Sequence, residues 1–290
     1  MDFWTNFSDK PGQVIWLNYE NDFFASTDRY YSQGIAAVYK RPVSETGFGH
    51  KLFFRLPDSR KQFGAGVDHM AFTPTSIAFD SILMPNHPYA GTIRGNVFFE
   101  SINDRKEQSF SWTASAGIIG PEAQGKEIQT GIHKALENPR PKGWEFQIQG
   151  GLLLDVGVNA RQRIVGFGNW ARLYTEESGN FGTARTDATL GARVQFQLYS
   201  KKDFLRVVAY FNPAVRFVGH DATLQGSIFN QRSPYTVPSE EITRIIFERE
   251  FGVNVQLGKL TASYTFQLHT KQYDAGMTHR YGGLRLGWIF

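Results

Sequence analysis

Apolar and polar residues alternate with a period of two in segment after segment of this chain, the spacing that puts one face of a β-strand in each environment. At the C-terminus Leu284, Leu286, Trp288 and Phe290 fall on one face and Gly283, Arg285 and Gly287 on the other. Leu260, Ala262, Tyr264, Phe266 and Leu268 alternate in the same way with Thr261, Ser263, Thr265, Gln267 and His269, and the stretch from Asp187 to Leu198 repeats the pattern. Several alternating runs reach ten residues or more. Soluble strands average about five or six residues, whereas one crossing of a membrane barrel takes about 9 to 11. Twelve segments can be counted, near 13 to 20, 31 to 41, 63 to 74, 89 to 101, 107 to 119, 144 to 157, 160 to 175, 184 to 199, 203 to 217, 242 to 257, 258 to 271 and 279 to 290. An even count returns both termini to one side, as bacterial barrels require. The expected fold is therefore all-β: one antiparallel transmembrane β-barrel domain of about 12 strands spanning 1–290. Short turns at Asn103 to Lys106, Lys201 to Asp203 and Leu257 to Gly258 fall at one end; the long connections Thr75 to Pro88, Gly120 to Gly143 and Gly219 to Glu241 fall at the other. The Pro42 to Gln62 connection breaks this rule.

Composition supports the barrel and removes other classes. Hydrophobic residues are 41% of the 290, mean hydropathy is −0.35, and no run approaches the roughly 18 apolar residues of a membrane helix. With no cysteine, thiol nucleophiles, disulfides and thiolate zinc sites are excluded, leaving oxygen and imidazole chemistry. A net charge of +4 without a clustered Lys/Arg stripe argues against nucleic acid. Residues 1–10 lack the charged and apolar regions of a signal peptide, which leaves a cytoplasmic protein or a mature exported chain. Inward faces carry both signs of charge at Arg193, Arg285, Asp187 and Glu248, so the lumen is expected to hold ion pairs. Trp16, Trp112, Trp144, Trp170 and Trp288 suit an interfacial girdle, and His50, His69, His220, His269 and His279 suit the lumen and loops.

Two loop segments carry candidate chemistry. From Pro121 to Glu137 the chain reads as one short helix in a long, extracellular loop, with Pro at its start, Glu122 in the first turn and Lys134 near the last. Ile128, Ile132 and Leu136 form an apolar stripe for the barrel rim or outer leaflet, and Gly125, Gln129 and His133 form a second row at the same spacing. At the same end, Glu20-Asn21-Asp22 is followed by Thr27-Asp28-Arg29-Tyr30-Tyr31-Ser32-Gln33-Gly34. Asp and Asn oxygens are hard ligands suited to calcium, and a histidine across the gap can deprotonate a water. Such a triplet is also an ordinary turn sequence.

The stretch GIIGPEAQGKEIQTGIHKALENPRPKGWEFQI resembles the helix-bearing loop of the outer-membrane lipid A 3'-O-deacylase family (LpxR-like): a G-P-x-A-x-G run, Gln, His four residues later, then Pro, Gly-Trp and Gln. The ENDFF, YYSQG and HPYAG motifs resemble that family too, and the similarity covers essentially the whole chain. The resemblance implies that His133 is the catalytic histidine, that Gln129 accompanies it, that Asn21 and Asp22 are the family's Asn-Asp pair with the aspartate binding Ca2+, and that Ser32 stands at the family's Ser/Thr position. It further implies a monomeric enzyme of the bacterial outer membrane, its site facing the outer leaflet, that hydrolyses the ester of the 3'-acyloxyacyl group of lipid A within lipopolysaccharide. Two departures stand out. The family's lysine in the second long loop is missing between Thr75 and Pro88, leaving His87 or Arg94 as nearby cations. The family's carboxylate after the histidine aligns with Pro139, and Glu137, two positions earlier, is the candidate further metal ligand. Water activated by His133 is expected to attack, because a Ser32 nucleophile would leave the Asn-Asp pair idle. The alternatives are an acyl hydrolase of outer-membrane phospholipids and a passive pore or adhesin.

Overall fold

The computed structural model describes residues 12–27, 29–43, 55–201 and 204–290. The expected turn at Lys201 to Asp203, much of the Pro42 to Gln62 connection, Asp28 and His50 lie wholly or partly outside these residues. Twelve strands form one closed antiparallel barrel in which each pairs with its neighbours in sequence. They are β1 (Val14–Asn21), β2 (Tyr30–Pro42), β3 (Arg60–Thr73), β4 (Ala90–Asn103), β5 (Gln108–Ile119), β6 (Gly151–Phe167), β7 (Ala171–Gly182), β8 (Arg185–Lys201), β9 (Leu205–Asp221), β10 (Ile245–Leu257), β11 (Leu260–His269) and β12 (His279–Ile289). The last strand closes on the first, from Val14 opposite Ile289 to Asn21 opposite Gly282. Closure gives the backbone groups of every strand a partner on both sides, which hydrocarbon surroundings demand. Two short α-helices lie in connections at the long-loop end, α1 (Gly125–Ala135) and α2 (Ala222–Gln225). Among the described residues no helix is long and apolar enough to cross a membrane.

The count and order of strands agree with the sequence pattern, but two strands are displaced. Segments 144 to 157 and 160 to 175 were expected; β6 instead starts at Gly151 and runs through Asn159 without turning. The chain reverses at Gly168, whose φ of +55° is the left-handed conformation that glycine adopts without penalty. Trp144–Phe146 form a short 3-10 turn; the alternation of Trp144, Phe146 and Ile148 reflects packing inside a loop. One connection at the long-loop end is also very short, since β7 passes to β8 through Thr183 and Ala184 alone.

The wall is apolar outside and polar inside. Leu152, Leu154, Val156 and Val158 of β6, and Leu284, Leu286 and Trp288 of β12, are exposed on the outer face. The inner face carries ion pairs: Arg193 with Glu176 at 2.7 Å, Arg216 with Glu248 at 2.8 Å, Arg94 with Asp68 at 3.0 Å and Lys40 with Glu100 at 3.2 Å. Arg285 donates to Asn18 Oδ1 at 2.6 Å. Around these groups remains a polar cavity of about 220 Å³. Two tryptophans depart from the expected girdle. Trp16 points into the lumen, with the Lys40 ammonium 5.5 Å from its ring centre, and Trp144 is completely buried, whereas Trp170 and Trp288 are exposed on the outer surface.

The inner pairs hold the barrel cylindrical, because a lone charge in the lumen loses solvation with nothing to offset it. Lys40→Met, which takes the ammonium away from the buried Glu100 carboxylate, is expected to destabilise the barrel, read as a lower urea midpoint in detergent micelles; adding Glu100→Gln should restore most of that loss. At the short-turn end, Glu107 accepts hydrogen bonds from Arg163 at 2.6 Å and from Tyr174 at 2.6 Å and pairs with Arg172 at 3.1 Å. Burial raises its carboxyl, but Tyr174, Arg172 and Arg163 outweigh burial and hold it below the ordinary 4.5. A lowered carboxyl contributes stability that is complete above the unfolded value and lost as pH falls through the folded one. Amide exchange in the 104–107 and 168–170 turns should therefore quicken below pH 4.5, and Glu107→Gln should remove that pH dependence.

Candidate active site

At the long-loop end the chain leaves β1 through Asn21 and Asp22. Asn21 caps the 3-10 turn Asp22–Ala25, its Oδ1 accepting from Phe23 N at 2.7 Å, as short polar side chains do at helix starts. Its Nδ2 donates to the Ser32 carbonyl at 2.5 Å and to Tyr19 Oη at 3.2 Å. Asp22 is buried, and its Oδ2 accepts from Arg29 N at 2.6 Å. The pair thus ties the end of β1 to the start of β2. Ser32 occupies a β-bulge, because the register passes from Tyr31 opposite Phe72 directly to Gln33 opposite Ala71. Its buried hydroxyl lies 2.6 Å from that of Thr73.

Asn21 sits on the outside of the wall, and so does Thr73, the partner of the Ser32 hydroxyl. Ile15, Leu17, Ile35, Val67 and Ile93 are exposed on the outer face; strand alternation puts Asn21, Gln33, His69, Ala71, Thr73 and Gly91 on that face too. Gln33, His69, Ala71 and Thr73 are nevertheless buried. The 120–150 connection folds down over β3 and β4 and covers His69 and Ala71. The Ala123 carbonyl accepts from His69 Nε2 at 3.0 Å. A Cβ on Gly91 would stand 3.2 Å from Gly125 Cα, and one on Gly125 would stand 2.7 Å from the Trp144 ring, so the two glycines permit the approach. Trp144 packs with Ala71, Ile77 and Tyr89.

The helix differs from its expected form in start and orientation. Pro121–Ala123 make a 3-10 turn, Gln124 is left-handed at φ +60°, and α1 begins only at Gly125. Gly125 and Gln129 are buried and His133 is half-buried, whereas Leu136 is 65% exposed and Ile128 and Ile132 lie between. The polar row therefore faces protein and the apolar stripe is left more open. On a membrane barrel that is the sensible order, since the apolar side can meet lipid and the polar side needs partners.

Trp144 Nε1 donates to Gln129 Oε1 at 2.7 Å, which fixes the orientation of that carboxamide. His133 Nδ1 lies 2.7 Å from the Pro139 carbonyl oxygen. A carbonyl only accepts, so Nδ1 carries the hydrogen and Nε2 of the neutral ring is left as the basic nitrogen. Pro139 thus orients the imidazole through its backbone carbonyl. Glu137 is exposed just past α1, with φ +55°; among the described residues its side chain has no hydrogen bond or ion pair, so it is not joined to Asn21 or Asp22. The structure brings Asn21, Asp22 and Ser32 into one hydrogen-bonded corner and Gln129 and His133 onto one face of α1, with both groups at the same end of the barrel. It makes no hydrogen bond between His133 and Ser32.

The nearby cations do not replace the missing lysine on the outer wall. Arg94 points inward and donates to Asp68 Oδ1 at 3.0 and 3.1 Å. His87 is buried, stacked on the inward-facing Phe72 with ring centres 5.3 Å apart, and burial lowers its pKa below the ordinary 6.5. Among the described residues no group of three or more acidic or histidine side chains is placed to hold a metal. Asp22 supplies one buried carboxylate of the hard-oxygen type that calcium takes, while Asn21 Oδ1 is engaged by Phe23 N. Sequence reasoning missed Thr73, assigned His69 to the lumen or loops where the structure puts it on the covered outer wall, and read Trp144 as an interfacial ring; only the Gly-Trp pair of the loop pointed to its structural part.

The profile of the family described as outer membrane protein LpxR matches residues 4–290. Among solved structures, LpxR from Salmonella typhimurium superposes with a TM-score of 0.79 at 16% identity, covering 96% of this chain and 100% of that one. The β domain of the Bordetella autotransporter BrkA superposes with a TM-score of 0.52 at 9% identity, covering 96% and 98%. At these identities the superpositions speak to the barrel fold. No curated protein sequence matches.

The Gly125 contact generates one prediction. Gly125→Ala pushes a methyl into the Trp144 ring and is expected to lift α1 from the wall, so limited proteolysis between 126 and 143 should accelerate several-fold while the heat-modifiable migration of the folded barrel on gels is kept.

Proposed function

The chain belongs to the LpxR family of outer membrane proteins, and from that membership we propose that it is a lipid A 3'-O-deacylase, a carboxylic ester hydrolase acting in the outer leaflet. The observation that carries this reading is the side of the wall on which the polar corner lies. A site in the lumen would serve a dissolved solute; Asn21, Ser32 and the polar row of α1 stand on the hydrocarbon-facing surface, where a lipid ester arrives by lateral diffusion. The 3'-acyloxyacyl ester of lipid A within lipopolysaccharide is the proposed substrate, and the closed barrel is proposed to act as a monomer.

His133 Nε2 is the general base. It takes a proton from water as the oxygen bonds to the acyl carbon, and it returns that proton to the sugar oxygen when the ester C–O bond breaks, releasing the fatty acid. The Pro139 carbonyl keeps the basic nitrogen on the correct atom throughout, and Gln129, anchored by Trp144, holds the same face of α1 against the barrel. Asp22 is the residue proposed to hold Ca2+, with Asn21 fixing the turn around it; a bound calcium supplies Lewis-acid polarisation of the carbonyl. Glu137 would join that set only if the end of α1 moved toward β1. Ser32 is kept out of the nucleophile's part because its hydroxyl is paired with Thr73. The passive alternative is disfavoured by a lumen filled with ion pairs.

The test is to incubate refolded protein with lipid A in detergent, with Ca2+ or EDTA, and to read product masses. Loss of the 3' acyloxyacyl unit is expected with calcium and not with EDTA. His133→Ala should lower the rate about 10²–10⁴-fold, and Ser32→Ala should leave measurable turnover. Unchanged lipid masses, together with conductance in planar bilayers, would favour the pore.

A further inference from the structure

One polar side chain of the outer wall takes no part in the scheme above. Gln33 follows the β-bulge of β2 and shares the outward face with Ile35. Continuing the β1–β2 register one step past Glu20 opposite Gly34 sets Gln33 across from Asn21, and on its other side it faces Ala71, which packs in the cluster that holds Trp144. Gln33 is 2% exposed, and its Nε2 is shielded from solvent with no hydrogen-bond partner. The surrounding groups are engaged elsewhere: Asn21 Nδ2 with Ser32 and Tyr19, the Ser32 hydroxyl with Thr73, the Trp144 indole with Gln129, and His69 Nε2 with Ala123. His69 Nδ1, diagonal to Gln33 on β3, is a second buried atom without a partner, yet the two do not bond each other.

A buried amide that bonds nothing destabilises the fold, and such a group in a native protein calls for a reason, such as strain, a catalytic role or a partner that completes it. A leucine of similar volume would fill the space without that cost. The position is also a suitable one: beside Asn21, one residue from Ser32, in buried, low-dielectric surroundings where a donor aimed at developing negative charge has its largest effect.

We propose that Gln33 contacts the substrate, donating its Nε2–H to the carbonyl oxygen of the acyl ester and stabilising the oxyanion that forms there. This rests on the deacylase reading and adds to it a neutral donor that acts on the same oxygen from the barrel wall. No proton leaves the amide; the hydrogen bond shortens as the oxygen gains charge and relaxes when the C–O bond breaks.

Gln33→Leu and Gln33→Met are the test, the first removing the amide and the second keeping the length of the side chain without a donor. Both should lower kcat on lipid A by about 10²-fold or more with KM changed only a few-fold. The urea midpoint of Gln33→Leu in micelles should equal or exceed that of wild type, a result a packing role would not produce. Wild-type kcat in Gln33→Leu, or a lost activity that tracks a lowered midpoint, would overturn the proposal. So would a substrate-bound structure in which a water bridges Gln33 and His69 while the ester carbonyl lies elsewhere. If the wild-type barrel cleaves no lipid A, the deacylase reading falls separately, and protection against urea by added lipid A then tests the contact: protection of wild type but not of Gln33→Leu supports it, and equal protection of both, or of neither, refutes it.

Discussion

Closure of the sheet on itself is the constraint from which the other features follow. With β1 hydrogen-bonded to β12, no strand edge is left to face hydrocarbon, so the outer surface can be apolar almost everywhere. Many of the charged residues turn inward, where they form pairs such as Arg193 with Glu176 and Arg216 with Glu248. A polar group on the outside is costly under these conditions. Asn21, Gln33, His69 and Thr73 collect at one end of β1 to β3, where His69 is covered by the Ala123 carbonyl of the loop.

That loop depends on small residues and one indole. Gly91 and Gly125 let the start of α1 approach the wall, Trp144 fills the space between the loop and Ala71, and its N–H holds the Gln129 side chain. Because the indole and the Ala71 region already supply the apolar contact, α1 turns its polar row inward and leaves Leu136 open. The His133 ring is positioned at the far end of that row by the Pro139 carbonyl.

Family likeness at low identity has a simple origin in such a wall. An outward position needs only an apolar side chain and an inward one only a paired polar side chain, so most of the 290 positions can drift while strand number, register and tilt stay linked by closure. The barrel of the Salmonella LpxR accordingly superposes over nearly its whole length at 16% identity.

Alternation and segment length made the barrel, its strand number, the charged lumen and the end bearing the long loops readable from the residues alone, because each is a local property of period two. The motif around His133 was equally readable, since its spacing is set within one helix. The shift of β6 and β7 was not: the residues from Trp144 to Ile148 alternate like a strand, and only burial against Ala71 and Tyr89 distinguishes them from one. Nor could alternation tell that Arg94 and His87 turn toward the lumen while Gln33 and Thr73 turn to the covered outer wall, or that Pro139 would hold the imidazole. Those outcomes depend on register between strands far apart in sequence and on which surface a 31-residue connection folds against, and long-range contacts of that kind leave no periodic trace in the chain.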